Sequence, residues 1–128
     1  MRRLFHNEMP INWVLYVGPD GRCPVDEYLK ALEQKQRGRL TGLMKAFARH
    51  GCWSVDGTFV NVLKDLPTSK DIYELSQRRE RIIFYPDDGD AVALCGFTRK
   101  DRSTTERLRN AAASLVEEAT NRKKGIVS

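Results

Sequence analysis

At 128 residues the chain has the common size of one domain, 1–128, and too little length for two independent cores. Hydrophobic residues at 41% and charged residues at 30% exclude a disordered chain and a membrane-embedded one, and no apolar run approaches the ~20 residues of a bilayer span. The net charge of +5 points to a polyanionic partner, but residues 72–102 are neutral on average, with six basic and six acidic side chains.

The start, Met1 to Glu8, is basic, yet charge and Pro10 interrupt it before an apolar export segment forms. Cys23, Cys52 and Cys95 are odd in number and widely spaced, and neither His6 nor His50 stands at a ligand spacing from them. The expectation is a protein of the reducing cytoplasm with no metal, no cofactor and no membrane association.

Ile11 to Val17 is apolar and β-prone, and Gly18-Pro19-Asp20-Gly21 turns the chain after it. Pro24, with Asp26 and Glu27 behind it, opens a helix carrying Val25, Tyr28, Leu29 and Leu32 at helical spacing. Leu40, Leu43, Met44 and Phe47 mark a second helix, with Gly51 as its C-terminal cap, so the two form a helical hairpin. Residues 28–50 hold Lys30, Lys35, Arg37, Arg39, Lys45 and Arg49 against the single acid Glu33. That surface is either a solvated helix face or a phosphate-binding stripe.

From Phe59 the period changes to that of strands. Segments ending at Pro67 and spanning Ile72 to Ser76, Arg81 to Tyr85 and Ala91 to Thr98 are joined by connections short enough for an antiparallel β-meander. Ser103-Thr104-Thr105-Glu106 has the form of a capping box, and Leu108, Ala111, Ala112, Leu115, Val116 and Ala119 form the apolar stripe of a last helix. Residues 121–128 are expected to fray. The fold class is α+β: N-terminal strand, helical hairpin, antiparallel meander, C-terminal helix.

Alternation puts Glu74, Ser76 and Arg81 on one face if Leu75 pairs with Ile82 on the core side, and that face is expected to be open. Arg99-Lys100-Asp101-Arg102 then reaches its edge. A carboxylate, guanidiniums and an ammonium together suit cleavage of an RNA phosphodiester by its own 2′-hydroxyl, with protons handled by Glu74, Lys100 or a lysine whose pKa neighbouring cations lower. A cross-strand ion pair is the alternative.

The stretch Ile-Tyr-Glu-Leu-Ser-Gln-Arg-Arg-Glu-Arg-Ile-Ile-Phe-Tyr (72–85), then Leu-Cys-Gly-Phe-Thr-Arg-Lys-Asp-Arg-Ser-Thr-Thr-Glu (94–106) and an Ala-rich helix, resembles the RelE/HigB toxins of bacterial toxin–antitoxin pairs. The HigB or phage Gp49-like branch looks nearest. The likeness spans most of the chain in element order and residues 64–112 in motif. It implies a metal-independent endoribonuclease that cuts mRNA at the translating ribosome. Arg81 then matches the phosphate-binding arginine, and Arg99 and Lys100 the assisting basic residues. Glu74 is either a base or a structural partner of Arg81. Lys64, Arg78, Arg79, Arg102, Arg37, Arg39 and Lys45 are the implied RNA contacts. Ser76 departs from the family, which places an arginine there. The implied partners are mRNA, the ribosome and a helix-turn-helix antitoxin encoded adjacently, with operator DNA met only through that antitoxin. The superfamily also includes ParE-like gyrase inhibitors without nuclease activity, and a catalytically silent prophage-derived binding domain is a further alternative.

Overall fold

The computed structural model describes residues 2–5, 10–50, 60–68 and 70–127, with side chains at 4–5, 10–50, 60–68 and 70–122. Gly51, the expected helix cap, and Cys52 and His6 lie outside these residues. In chain order the elements are β1 (Arg2–Arg3), β2 (Asn12–Leu15), α1 (Pro24–Ala31), α2 (Gln34–His50), β3 (Val60–Leu63), β4 (Ile72–Gln77), β5 (Glu80–Asp87), β6 (Asp90–Thr98), α3 (Arg102–Ser114) and α4 (Val116–Val127). The α+β class and the antiparallel meander β3 to β6 are as expected. The sheet is mixed, in the order β1-β2-β6-β5-β4-β3, because β2 joins β6 in parallel.

Both faces of this sheet are covered. Ile82 and Phe84 of β5 and Leu75 of β4 pack with Val25, Leu29, Leu40, Met44 and Phe47 from α1 and α2. Ile83 and Tyr85, the alternate residues of β5, pack with Ala112, Ala113, Val116 and Ala119 from α3 and α4. On the first face Trp13 meets Phe84 edge-on at 4.8 Å between ring centres, and its indole N–H donates to the Met44 carbonyl at 2.8 Å. That bond ties α2 to β2 while satisfying the one polar atom of a fully buried ring.

Strict alternation fails once, inside β6. Ile83 stands opposite Cys95 and Phe84 opposite Ala93, so Leu94 is an extra residue and both Leu94 and Cys95 lie on the α3 side. The bulge reverses the parity of the last residues of the strand. Phe97 is thereby turned toward α3, and Gly96 and Thr98 toward α1.

The last helix differs from expectation in four ways, the fourth being that residues 121–127, expected to fray, are helical. Its N-cap is Asp101, not Ser103: the Thr104 amide donates to Asp101 Oδ1 at 2.7 Å, and a carboxylate at this position also faces the positive helix end. It is interrupted at Leu115, where the Ser114 hydroxyl has turned back to the Ala111 carbonyl at 2.7 Å. The buried stripe includes Thr105, Ala112, Ala113, Val116 and Ala119, with Ala111 exposed. Helical backbone continues through Val127, and Arg122 fastens α4 by donating to the Val17 and Gly18 carbonyls at 2.7 and 3.2 Å.

Candidate nucleic-acid interface

The register of the β4–β5 hairpin builds the site. Gln77 pairs with Glu80, which leaves Arg78 and Arg79 as a two-residue turn. Arg78 has a φ of +55°, a left-handed conformation that costs a non-glycine residue roughly 1–2 kcal/mol. Arg81 restrains this turn, since its Nη1 donates to the carbonyls of Arg78 and, at 3.0 Å, of Glu80. The chain leaving β6 is tied to the same turn: the Arg99 amide donates to the Arg79 carbonyl at 2.7 Å. Arg78, Arg79, Arg99, Lys100 and Arg102 are therefore brought to one end of the sheet, all exposed. The side chains of Arg78, Arg79, Arg99 and Lys100 enter no hydrogen bond or ion pair among the described residues. Arg102 reaches Glu106 at 3.3 Å, a fully solvated pair of small energetic weight.

Glu74, Ser76 and Arg81 do share a face, and Leu75 does pair with Ile82. That face is not open, because α3 lies across it. Glu74 is 3% exposed, and both its oxygens accept from Arg109 of α3, Nε at 2.8 Å and Nη2 at 2.7 Å. Arg81 Nε stands 3.6 Å from Glu74, with its side chain only 11% exposed. Burial holds the Arg81 guanidinium below its usual value against the pull of Glu74, and the nearby positive charges of Arg99 and Arg109 push the same way. The hydrogen bonds to Glu74 raise that of Arg109. One buried carboxylate thus neutralises two partly buried cations, Arg81 and Arg109.

Arg109 is the member that sequence reasoning missed. It falls between Thr105 and Ala112 on the buried stripe of α3, and an arginine on the apolar stripe of an Ala-rich helix was the available signal. Lys64 does not join the cluster: Leu63 pairs with Ile72, so Lys64 sits at the opposite end of β4 from the arginine turn, about 20 Å away at strand rise. Arg37, Arg39 and Lys45 are on α2, exposed, on another part of the molecule.

Cys95 lies opposite Ile83, which in turn pairs with Glu74. Burial first, and the Glu74 charge second, push its thiol up to about 12 from an ordinary value of 9.0. Above pH 9 the unfolded chain loses this proton and the folded chain keeps it, so stability falls as pH rises from 9 toward 12. Cys95→Ala is expected to flatten that fall, which urea unfolding at pH 8, 9, 10 and 11 measures. An equal alkaline slope in both proteins would contradict the assignment.

On the α1 side of the same sheet end, the Tyr28 hydroxyl lies 3.0 Å from that of Thr98, and its ring fills the space above Gly96, where a Cβ would stand 2.3 Å from Tyr28 Cδ2. Beside them Glu80 is 3% exposed, with Oε1 buried and lacking a hydrogen-bond partner among the described residues. An orphaned acceptor costs roughly 1–3 kcal/mol. Glu80→Met, which keeps the volume and removes the oxygen, is expected to raise stability by about 1 kcal/mol in chemical denaturation. A loss of similar size would reveal a partner for that oxygen.

Among the described residues no three His, Cys, Asp or Glu side chains converge to hold a metal ion, and no helix is long and apolar enough to cross a membrane. No family model and no curated protein matches the chain.

Proposed function

We propose that the chain is a toxin-like endoribonuclease that cuts mRNA on the translating ribosome through the arginine–lysine end of its sheet. The observation that carries the reading is the pinning of two cationic loops by the Arg99–Arg79 backbone bond, which concentrates Arg78, Arg79, Arg99 and Lys100, none of them ion-paired among the described residues. Attack by a 2′-hydroxyl oxygen on the adjacent phosphorus forms a 2′,3′-cyclic phosphate and releases the 5′-oxygen, which must gain a proton. The excess negative charge passes through the phosphorane oxygens, where fixed guanidiniums have their largest effect. Arg78, Arg79 and Arg99 suit those oxygens, and the Lys100 ammonium suits the leaving oxygen. Arg81 holds the turn that presents them.

Glu74 is unsuited to accept the 2′-hydroxyl proton, because both oxygens are committed to Arg109 in a buried site. The acceptor is then water or an RNA group aligned by the ribosome, and such alignment supplies a large part of the rate on its own. A neutralising antitoxin has to cover the same end, so an acidic segment is the complement it needs.

The test adds wild-type protein and Lys100→Ala to a translation extract and maps new mRNA ends. New 5′ ends with the wild type, reduced about 100-fold or more in the variant, are the expected result. Absence of cuts with wild-type protein sinks the nuclease reading, and inhibition of DNA supercoiling by the same preparation would replace it with a gyrase-directed one.

A further inference from the structure

The outward face of α2 carries a second charge pattern. Five cations, Lys35, Arg37, Arg39, Lys45 and Arg49, occupy this 17-residue helix, and its sequence contains no acid. Arg37 donates to the Leu32 carbonyl at 3.1 Å. The others fall with Gly38 and Gly42 on one exposed stripe opposite the buried Leu40, Met44 and Phe47. From Lys35 to Arg49 the stripe is about 21 Å long at helical rise. Lys45 is set over the Phe5 ring at 5.2 Å, and no ion pair to any of the four stripe cations occurs among the described residues. Surfaces normally mix signs, so a one-sign face on a helix is an unneutralised charge that a polyanion relieves.

We infer that this face docks the phosphate backbones of double-stranded RNA without reading its sequence. A membrane surface needs apolar side chains to insert, and no large apolar residue is exposed on α2. Single strands are held by aromatic stacking, which the stripe lacks. Arginine and lysine can read guanine edges, but the stripe has no Asn, Asp or Glu beside them for the other bases, and four cations spread over about 21 Å suit the phosphates along a duplex. The choice of RNA over DNA rests on the ribosome-directed reading above. The two glycines strengthen the case once the charge is given: a Cβ at either meets nothing within 4 Å, so no contact in this chain calls for glycine there. Glycine weakens a helix interior, and here it leaves the backbone flat where phosphates approach.

The experiment measures binding of the full chain to a mixed-sequence RNA duplex of about 20 base pairs by fluorescence anisotropy, outside any ribosome. A matched DNA duplex, polyglutamate and anionic phospholipid vesicles are the other arms. The expected dependence of log K on log salt has a slope near −3, as for three to four phosphates neutralised. Lys35→Glu with Arg39→Glu, Lys45→Glu and Arg49→Glu is expected to weaken RNA binding about 100-fold or more, with circular dichroism unchanged. Lys30→Ala on α1, off the stripe and already paired with Asp26 at 2.9 Å, is expected to change it less than about threefold. Gly38→Ala with Gly42→Ala is the sharpest arm, expected to raise the melting temperature and yet weaken RNA binding. Unchanged binding in the fourfold variant overturns the proposal, as does equal or tighter binding to DNA, polyglutamate or vesicles. If mRNA cutting fails but these outcomes hold, the docking face stands and the nuclease reading alone falls.

Discussion

Glu74→Ala is expected to cost about 3 kcal/mol, a large loss for a single substitution, because it strands the largely buried Arg81 and the half-buried Arg109 at once. Arg109 would keep neither of its bonds at 2.7–2.8 Å, and Arg81 would lose the charge 3.6 Å from its Nε. Against a usual total of 5–15 kcal/mol, such a loss leaves the chain partly unfolded near 37 °C. Glu74→Gln, which keeps one acceptor but no charge, should fall between. The pair Glu74→Leu with Arg109→Met removes carboxylate and main partner together, and replacing both members of a buried ion pair by apolar groups is often neutral. Its stability is expected to return to within about 1–2 kcal/mol of wild type, Arg81 still being held by the Arg78 and Glu80 carbonyls. Urea denaturation of wild type, the two single variants Glu74→Leu and Arg109→Met, and the pair gives the coupling energy directly. Strict additivity would mean that α3 is held by its apolar stripe alone.

This triad also shows where sequence reasoning succeeds and where it stops. Period-2 alternation put Glu74, Ser76 and Arg81 on one face on the condition that Leu75 pairs with Ile82, and the hairpin has that pairing. Which helix covers that face is not a local property. The Ala-rich stripe of α3 showed that the helix packs on the sheet, but either face would have satisfied it. Only the arginine at 109, apolar by position and charged by type, pointed to a buried carboxylate. The Leu94–Cys95 bulge had no local mark, since Ala91 to Cys95 is an unbroken run of small and apolar residues with no period to interrupt. At the helix start Asp101 and Ser103 both have capping chemistry, and the choice fell to Asp101, whose carboxylate meets the Thr104 amide and hydroxyl together.

The cationic end was legible as composition and misjudged as geometry. Arg81 matches a phosphate-binding position in the resemblance, yet here its guanidinium faces inward, with 11% of the side chain exposed and three neighbours on the same protein. The free charges are one layer further out, on the turn and on the strand exit. That order follows from desolvation: a guanidinium packed under a helix needs its carboxylate, and the cations left in solvent are those able to meet a new anion.

Arg99→Ala and Arg81→Ala should therefore fail in different ways. Arg99→Ala removes a solvent-exposed guanidinium while the Arg99 amide, which carries the bond to Arg79, remains. Melting temperature is expected to stay within about 2 °C of wild type, as for an ordinary surface substitution, and cleavage to fall about 10²–10³-fold, the scale for one lost donor to the transition-state charge. Arg81→Ala releases the strained Arg78 turn and uncovers Glu74, at about 2–3 kcal/mol, which lowers the melting temperature by roughly 5–10 °C for a chain of this size. Assayed well below that temperature, its cleavage is expected to fall less than that of Arg99→Ala, because the turn still samples its native form. Arg81→Lys should recover little of the stability, since a single ammonium cannot serve the Arg78 and Glu80 carbonyls and Glu74 at once. The reverse order, with Arg81→Ala stable but inactive and Arg99→Ala nearly normal, would place the phosphate on the inner arginine and require α3 to lift from the sheet before RNA is cut.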